Sequence, residues 1–462
     1  MATRKVPGQL VIQFTDHCNG SCPQCGMRKS NPFERAKLDL ELARRTLRAA
    51  AARDVAAVSF TGGEPLLHLK DLADLMIYAG KLGIPFIRTG TNGFLFNGHR
   101  NPGFTRRMQS LAKTLAATSV RNFWISIDSI DPLIHDRMRG FSGLMAGIRK
   151  ALPIFHAAGI YPSANLGLNR NMGGTATQTL TPSRFSSSEA YHQAFYRTYR
   201  EALRRFYQMA INLGFTIVNT CYPMSIEPQN TDPARALSDN RDSGGDKGDK
   251  NPTGLEAVYA ATASDRVVHF SDAEKRYLFQ ALLAAIPEFR SRIRVFTPLS
   301  GVLNLSRQHS GLEDSSYPCR GGIDFFFIDA AQGDTFPCGY RGHENLGKFW
   351  NLPARMPQGR GCRQCDWECF RDPSELLGPL LMDAWRPWHT ASGMLRRKDF
   401  FRYWAGDLAY YRACGFFNGR RPPNYRRMAR AGGTSICHTP RTRHNTMIRQ
   451  LDPALAKGWV HP

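Results

Sequence analysis

The sequence predicts an α/β fold in which six parallel strands alternate with helices and close into a barrel or partial barrel. Apolar runs of strand length alternate with longer stretches whose apolar residues recur at the helical period. Six strand–helix units in succession favour parallel strands covered by helices. The predicted strands are residues 10–15, 56–60, 85–90, 123–127, 160–167 and 215–221.

The helices between these strands follow the same periodicity. Helices are predicted at 38–53, 72–83 and 190–214, and a later helix at 272–289 precedes a strand at 292–297. Residues 228–252 contain few apolar side chains and many Asp, Gly and Asn, which is typical of a disordered insertion. The predicted regions are a core barrel (8–225), the disordered insertion (226–254), a helical and strand linker (255–316), a Cys-rich α+β region (317–375), an aromatic and basic helical extension (376–430) and a disordered tail (431–462).

Composition and charge limit the class of protein. The first residues lack the apolar segment of a signal peptide, and no run of about 18 apolar residues occurs, so a cytoplasmic protein is expected. The formal net charge is +23, and residues 384–462 hold 15 Lys and Arg against three Asp, a balance of +12. This basic end predicts contact with an anionic membrane surface or RNA. The alternative interpretation is a solvated basic tail.

Eleven cysteines in a cytoplasmic chain favour metal or redox chemistry over a disulfide framework. Cys18, Cys22 and Cys25 follow the first strand in a C-x3-C-x2-C pattern. Three thiolates in one loop can hold three irons of a four-iron cluster and leave the fourth iron open to a small ligand. The alternative interpretation is a zinc site with a distant fourth ligand such as His17.

A glycine-rich motif follows the second strand in "SFTGGEPLLH". Gly62 and Gly63 let the backbone approach a ligand closely, and Glu64 can accept a hydrogen bond from an ammonium group. Because it stands at the end of the strand next to the cysteine loop, this motif predicts a ligand site shared with the cysteines.

Taken together, these motifs resemble those of the radical S-adenosylmethionine (SAM) enzymes. The resemblance rests on "CNGSCPQC", "TGGEP", "TNG" (91–93) and "SIDSIDPLIHDRMRG" (126–140), and it covers about residues 8–225. It implies a partial (β/α)6 TIM-type barrel. It also implies that Cys18, Cys22 and Cys25 bind a [4Fe-4S] cluster whose open iron takes the amino and carboxylate groups of SAM. The family usually has an aromatic residue before the third cysteine, where this chain has Gln24.

The resemblance also implies roles for residues at the ends of other strands. Gly62, Gly63 and Glu64 match the motif that holds the methionine amino group of SAM. Ser126 and Asp128 match fourth-strand residues near the ribose and methionine, and Asn165, at the end of the fifth strand, is a further cofactor-binding candidate.

A second cysteine cluster resembles the SPASM/twitch extension of radical SAM enzymes, whose pattern begins C-x9–15-G-x4-C. Its five cysteines are fewer than the seven of a full SPASM domain, so the resemblance implies one auxiliary [4Fe-4S] cluster. The best ligand set is Cys319, Cys338, Cys362 and Cys365, with Cys369 as a substitute. The alternative interpretation is a zinc ribbon.

Two further features have two interpretations each. Cys221 ends the sixth strand, where it can point into the barrel and donate a hydrogen atom or form an adduct, or serve as a buried structural cysteine. Residues 383–427 interleave aromatic side chains with arginines. They are predicted to cap the barrel mouth with buried aromatics, and the alternative is a segment that binds a membrane surface or nucleic acid.

The resulting hypothesis is a radical SAM enzyme that cleaves SAM to a 5′-deoxyadenosyl radical and removes a hydrogen atom from a substrate. A peptide or natural product is favoured as substrate, with the auxiliary cluster aiding electron transfer or substrate binding. An electron donor such as flavodoxin or ferredoxin is an expected partner. The alternatives are a radical SAM enzyme that acts on a lipid or membrane-associated substrate, and a non-catalytic iron–sulfur or zinc protein that binds nucleic acid.

Overall fold

The computed structural model describes residues 8–223, 258, 266–312, 317–354, 356, 361–363, 365–383 and 396–432. Nine strands within these ranges form one sheet with the order β7-β6-β5-β4-β3-β2-β1-β8-β9. Every neighbouring pair is parallel except β8 with β9, which is antiparallel. The strands are β1 (Gly8–Thr15), β2 (Val55–Gly62), β3 (Phe86–Thr91), β4 (Val120–Ile127), β5 (Ser163–Gly167), β6 (Ile217–Cys221), β7 (Arg294–Val295), β8 (Phe325–Ile328) and β9 (Thr335–Phe336).

Helices connect successive strands of the sheet, as expected for parallel neighbours. The described α-helices are α1 (Leu40–Ala52), α2 (Leu69–Lys81), α3 (Phe104–Ala117), α4 (Pro132–Arg139), α5 (Leu144–Ala157), α6 (Thr175–Gln178), α7 (Ser188–Leu213), α8 (Asp272–Ala285), α9 (Leu299–Gln308), α10 (Glu368–Gly378), α11 (Lys398–Ala413) and α12 (Tyr425–Gly432).

The six strands predicted for the barrel are confirmed as β1 to β6, with ends that differ by at most three residues. Side chains along β1 point alternately to the two faces of the sheet, and a strand that is buried on both faces needs a continuous apolar run. Leu10, Ile12 and Phe14 point to the helices and join the main core, whereas Val11 points to the opposite face and joins a second core with residues 325 and 327. Both faces of the strand are therefore covered.

Local sequence signals fix the helix ends. The Asp39 side chain accepts hydrogen bonds from the backbone N–H groups of residues 41 and 42 at the start of α1. Ser271 and Glu274 form a reciprocal capping box at the start of α8. Gly214 ends α7 with a φ of +101°, a conformation that favours glycine.

The Cys-rich region extends the barrel sheet. β8 pairs in parallel with β1, and β9 pairs with β8, so both strands lie in the same sheet as the predicted barrel. Phe325, Phe327, Trp367 and Phe370 pack with Val11 on the inner face of the sheet. The start of α10 therefore lies inside the barrel, against β1 and β8.

The described part of the C-terminal extension is helical, and its aromatic side chains are largely buried. Phe400 and Tyr410 are 0% exposed. The turn around Gly419 does not lie at the predicted barrel mouth, however. The Gly419 N–H donates to the carbonyl of Arg121, and the Tyr161 N–H donates to the carbonyl of Gly419, each at 2.7 Å. These partners lie at or before the N-terminal ends of β4 and β5, so this turn covers the end of the barrel opposite the motif-bearing loops, whereas Asp407 of α11 accepts from residues 299 and 300, which follow β7.

Some predictions fall outside the described residues. These are the disordered insertion at 226–254, residues 384–395 of the aromatic extension, and the tail beyond 432. None of the helices within the described ranges combines the length and the apolar character that a bilayer crossing requires.

Candidate active site

The loop that follows β1 carries the first three cysteines and is held together by one arginine. Arg35 donates through Nη1 to the carbonyls of Asp16 (2.6 Å) and Met27 (3.0 Å). Through Nη2 it donates to the carbonyls of Arg28 (2.8 Å) and Asn31 (3.2 Å). Four bonds from one guanidinium close the loop around the cysteines. The sequence contains no local signal for this role of Arg35.

The three thiols lie close to hydrogen-bond donors. Cys18 Sγ accepts from the Gly20 N–H at 3.4 Å and from Asn92 Nδ2 at 3.8 Å, and Cys22 Sγ accepts from Arg139 Nη1 at 3.6 Å. A Cβ atom at Gly20 would lie 3.5 Å from Cys22 Sγ and 3.6 Å from Cys18 Sγ, so the glycine keeps the space between the two sulfurs open.

Burial raises the pKa of all three thiols, that of Cys22 to about 12. A buried thiolate needs a nearby positive charge, which bound iron supplies. The donor set and the space beside Gly20 therefore fit a cluster held by Cys18, Cys22 and Cys25.

The GGEP turn approaches the cysteine loop as closely as backbone atoms allow. The Gly63 N–H donates to the Thr15 carbonyl at 2.7 Å, and the Glu64 N–H donates to the His17 carbonyl at 2.8 Å. A Cβ atom at Gly62 would lie 2.1 Å from the Thr15 carbonyl oxygen, and one at Gly63 would lie 2.2 Å from that of His17. Both positions therefore require glycine.

The Glu64 side chain is used within the fold. It is 0% exposed, and its oxygens accept from the backbone N–H groups of Leu66 (3.0 Å) and Asn92 (2.5 Å). Burial raises the pKa of Glu64 to about 7. The sequence analysis expected this carboxylate to accept from an ammonium group of a ligand. In the structure it braces the turn against the loop after β3, and the contact with an ammonium group stays a prediction.

The loop after β3 joins the two motifs. Asn92 Nδ2 donates to Asn19 Oδ1 at 3.0 Å as well as to Cys18 Sγ, and Asn92 Oδ1 accepts from the Phe94 N–H at 2.9 Å. The TNG sequence thus holds a cluster cysteine from the neighbouring loop. Its position follows from the parallel order of β1, β2 and β3, whose C-terminal ends meet at one edge.

Asp128 and Arg139 form a buried ion pair beside the cysteine loop. Arg139 Nη2 donates to Asp128 Oδ1 at 2.7 Å, while Asp128 Oδ2 is buried with no hydrogen-bond partner among the described residues. The Asp128 N–H donates to His135 Nδ1 at 3.2 Å. Burial lowers the pKa of His135 to about 4, so the imidazole is neutral and can accept this bond. One carboxylate oxygen of Asp128 therefore remains for a ligand.

Other predicted cofactor residues lie on neighbouring strands. Ser126 and Asn165 are paired in register across β4 and β5, and Asn165 pairs with Asn219 across β5 and β6. Asn165 Oδ1 accepts from Cys221 Sγ at 3.1 Å and from Asn219 Nδ2 at 2.9 Å. Asn165 and Cys221 are therefore brought together inside the barrel, one on each of two adjacent strands.

Asn165, Asn219 and Cys221 border a cavity of about 200 Å³ inside the sheet, here named the barrel cavity. Its polar and thiol lining comes from β2 to β6 and the start of α10. The residues are Ser59, Thr61, Arg88, Asn122, Ser163, Asn165, Asn219, Cys221, Glu368 and Cys369. The sequence analysis missed Arg88 and Glu368. The only signal for Glu368 is a charged residue between Trp367 and Cys369 in an otherwise buried segment.

Four of the five later cysteines face one another. Cys319 and Cys362 exchange backbone hydrogen bonds, at 2.7 and 3.3 Å. Burial, together with the neighbouring thiols, raises the pKa of Cys338 to about 12 and raises that of Cys365. Cys369 differs, since its electrostatic neighbours are Glu368, Arg88 and Asp372, and it lines the barrel cavity.

A site for a single metal ion, such as zinc, is the alternative to an iron–sulfur cluster. No group of three or more His, Cys, Asp or Glu side chains among the described residues is placed to hold one metal ion. His17, the alternative zinc ligand, faces His68 with 2.9 Å between Nδ1 and Nε2. The assignment of the cysteines to iron–sulfur clusters stays a prediction.

Comparison with known proteins gives partial matches. The chain is 28% identical over 177 residues to the PqqA peptide cyclase of Xanthomonas oryzae pv. oryzae (strain MAFF 311018), covering 37% of this chain and 42% of that enzyme. It is 30% identical over 152 residues to the GTP 3′,8-cyclase of Vibrio vulnificus (strain YJ016), covering 31% of this chain and 42% of that enzyme. The match thus spans less than half the length of either relative.

Among solved structures, the chain is similar to Streptococcus suis SuiB bound to precursor peptide SuiA, with 16% identity, 82% of this chain and 67% of that chain covered, and a TM-score of 0.47. It is also similar to native anSMEcpe with bound AdoMet, with 14% identity, 74% and 78% covered, and a TM-score of 0.45.

The family model described as the Radical SAM superfamily matches residues 12–171, which span β1 to β5 and the three motifs described above. This part of the chain is therefore a radical SAM domain, and the family implies a [4Fe-4S] cluster and SAM as its cofactors.

Proposed function

We propose that this protein is a radical SAM enzyme that removes a hydrogen atom from a peptide or related natural product. The observation that carries the proposal is the joining of three motifs at one edge of the sheet. Asn92 contacts Cys18 from one side and Glu64 from the other.

The chain's own residues define what each part of the site does. When bound, a [4Fe-4S] cluster with SAM supplies a 5′-deoxyadenosyl radical that can take an unactivated hydrogen atom. Cys18, Cys22 and Cys25 would hold three irons, and the fourth would take the amino and carboxylate groups of SAM.

Other groups at the same edge would contact SAM. The turn at Gly62 and Gly63 packs against the cysteine loop, and its backbone would lie near the methionine portion, while Asp128 Oδ2 would offer an unpartnered acceptor to the ammonium or ribose hydroxyls. Arg139 fixes Asp128, contacts Cys22, and would add positive charge for the SAM carboxylate. Ser126 contributes a hydroxyl from β4.

We assign the auxiliary [4Fe-4S] cluster to Cys319, Cys338, Cys362 and Cys365, because these thiols interact with one another. A four-iron cluster binds each thiolate at a different iron, so its ligands need not converge on one point. The aromatic residues 325, 367 and 370 around them exclude water. The position next to the segment that lines the barrel cavity suits electron transfer from a substrate radical or contact with the substrate.

The substrate class rests on the relatives. One is named as a peptide cyclase and another as a GTP cyclase, so the shared domain serves both peptide and small-molecule chemistry. A peptide is favoured because PqqA peptide cyclase matches more of this chain. Electrons would come from a flavodoxin- or ferredoxin-type donor.

The test is anaerobic release of 5′-deoxyadenosine from SAM by iron-reconstituted protein with dithionite. Wild-type protein is expected to release it slowly without substrate, and the Cys18→Ala/Cys22→Ala/Cys25→Ala variant is expected to release none. Cys414→Ala is the matched control, because Cys414 is a buried cysteine in a different core with Tyr410. Wild-type protein that binds iron and SAM but releases no 5′-deoxyadenosine would contradict the proposal.

A further inference from the structure

Glu368 and Asn219 line the barrel cavity, and each has one buried acceptor atom that the fold leaves without a donor, although the Glu368 carboxylate also interacts with the Cys221 thiol and the Tyr222 N–H. Glu368 Oε2 and Asn219 Oδ1 are both buried and have no hydrogen-bond partner among the described residues. The Glu368 residue is only 8% exposed. Buried acceptors without donors are costly, by about 1–3 kcal/mol each. A ligand with N–H groups would satisfy both.

A donor faces the same cavity. Arg88 forms no hydrogen bond or ion pair through its side chain with any described residue, and its guanidinium instead lies 5.3 Å from the Phe296 ring centre and 5.8 Å from that of Trp124. Arg88 and Glu368 interact electrostatically across the cavity without direct contact. The cavity thus offers acceptors on one side and a donor on the other.

The net charge of Arg88 and Glu368 together indicates which class of ligand the cavity favours. One guanidinium and one carboxylate cancel, so an ammonium or carboxylate ligand would introduce a net charge into the interior of the barrel, at a desolvation cost. A carboxamide is neutral and carries both kinds of group. Its NH₂ can donate to Glu368 and Asn219 while its carbonyl accepts from Arg88.

The size and position of the cavity agree with an amino-acid side chain as the occupant. A volume of about 200 Å³ equals roughly six or seven waters at about 30 Å³ each, which is enough for one residue. Thr61 lines the cavity and the next residue, Gly62, begins the GGEP turn. Arg88 and Ile217 line it lower in the barrel, near the starts of β3 and β6. The cavity therefore extends from the lower part of the barrel towards the cofactor edge.

We propose that the barrel cavity is a subsite for a carboxamide side chain, that of an asparagine or glutamine residue of the substrate, and that Glu368 and Arg88 select it. This inference rests on the proposed function for its peptide substrate. The selecting carboxylate comes from α10 in the Cys-rich region, so the barrel and that region build the subsite together.

The test uses four probes with the same backbone, the N-acetyl N-methylamides of glutamine, glutamate, lysine and methionine. Their binding to the reconstituted full-length protein with SAM is measured by anaerobic calorimetry. The glutamine probe is expected to bind at least tenfold more tightly than the other three. In Glu368→Gln the positive charge of Arg88 is no longer balanced, so the preference is expected to shift to the glutamate probe.

Glu201→Gln is the matched control, since Glu201 is exposed on α7, and it should keep the wild-type order of affinities. Equal affinities for the four probes, no binding of any probe, or an unchanged order in Glu368→Gln would each overturn the subsite. If Glu368→Gln loses iron or helical signal, Asn219→Ala is the variant that tests the subsite. It is expected to lose affinity for the glutamine probe selectively. An unchanged affinity for that probe would overturn the subsite.

The experiments distinguish failure of the proposed enzyme function from failure of the proposed subsite. Wild-type protein that releases 5′-deoxyadenosine but does not distinguish the probes keeps the enzyme function and loses the subsite. Wild-type protein that prefers the glutamine probe but releases no 5′-deoxyadenosine keeps the subsite and loses the enzyme function.

Discussion

The Glu64 carboxylate accepts a hydrogen bond of 2.5 Å from the backbone N–H of Asn92, and this bond fastens the GGEP turn to the loop after β3. Asn92 in turn contacts Cys18. The Glu64 carboxylate therefore supports the cysteine loop through Asn92. Both of its oxygens accept hydrogen bonds from backbone N–H groups of the fold. This role differs from direct contact with a SAM ammonium group, and the two roles predict different behaviour on substitution.

Glu64→Gln is expected to lower stability even without SAM. The two Glu64 oxygens accept from the Leu66 and Asn92 N–H groups, and a glutamine has only one oxygen, so one buried N–H loses its acceptor at a cost of about 1–3 kcal/mol. Thermal unfolding of the SAM-free protein measures this, with exposed Glu41→Gln as the control. A variant with wild-type stability but weaker SAM binding would restore the direct-contact role.

Glu64 and the two glycines before it differ in how far their roles can be predicted from the sequence. Gly62 and Gly63 were predictable because close backbone approach leaves few alternatives to glycine. The strands were predictable because parallel strands buried on both faces have continuous apolar runs. The direction of the Glu64 side chain was not, because it depends on which backbone N–H groups the neighbouring loop brings to it.

Long-range packing accounts for the other differences. Arg35 closes the cysteine loop through carbonyl groups, which carry no sequence signature. The aromatic C-terminal extension has the predicted buried rings, but only the contacts of its Gly419 turn with Arg121 and Tyr161 reveal which end of the barrel that turn covers. The sequence analysis preferred Cys365 to Cys369 as a ligand but kept Cys369 as a substitute, because the separation of the two in space depends on where α10 begins.

Cys365→Ser and Cys369→Ser are expected to differ in iron content. Cys365 interacts with Cys319, Cys338 and Cys362, so its loss should reduce iron from about eight to about four per chain. Cys369 faces the barrel cavity, so its loss should leave about eight. Iron and sulfide analysis of anaerobically reconstituted protein measures both. Equal losses in the two variants would make Cys369 a cluster ligand and contradict the four-cysteine set.

Protonation of His135 is expected to destabilise the protein below about pH 6.5. Burial lowers the folded-state pKa to about 4, so the unfolded chain binds a proton first as the pH falls, and stability is lost between about pH 6.5 and 4. Between pH 7.5 and 5 the contribution of His135 to this loss amounts to about 2 kcal/mol. The raised pKa of Glu64 acts in the opposite direction over the same range, so urea unfolding at the two pH values measures the His135 contribution only by comparison with a variant.

The control for this prediction is His135→Asn. The Asn side-chain oxygen can accept from the Asp128 N–H in place of Nδ1 and does not titrate. The difference in unfolding free energy between pH 7.5 and 5 should therefore shrink in this variant by about the same 2 kcal/mol. An identical pH dependence in wild type and variant would show that other groups control the acid sensitivity.

Asp407→Ala is expected to detach the C-terminal helices from the barrel. The Asp407 carboxylate is 0% exposed and pairs with Arg290, and it also accepts from the N–H groups of Leu299 and Ser300 at the start of α9. Its removal leaves a buried guanidinium and two helix N–H groups without an acceptor, which should cost about 3–5 kcal/mol. Asp399→Ala on the same helix is the matched control, because Asp399 is 58% exposed in its pair with Arg307 and should cost at most about 1 kcal/mol. Urea unfolding compares the two variants. Equal, small effects would show that α11 is not anchored to the barrel by Asp407, and would favour the alternative in which the basic extension serves as a binding surface.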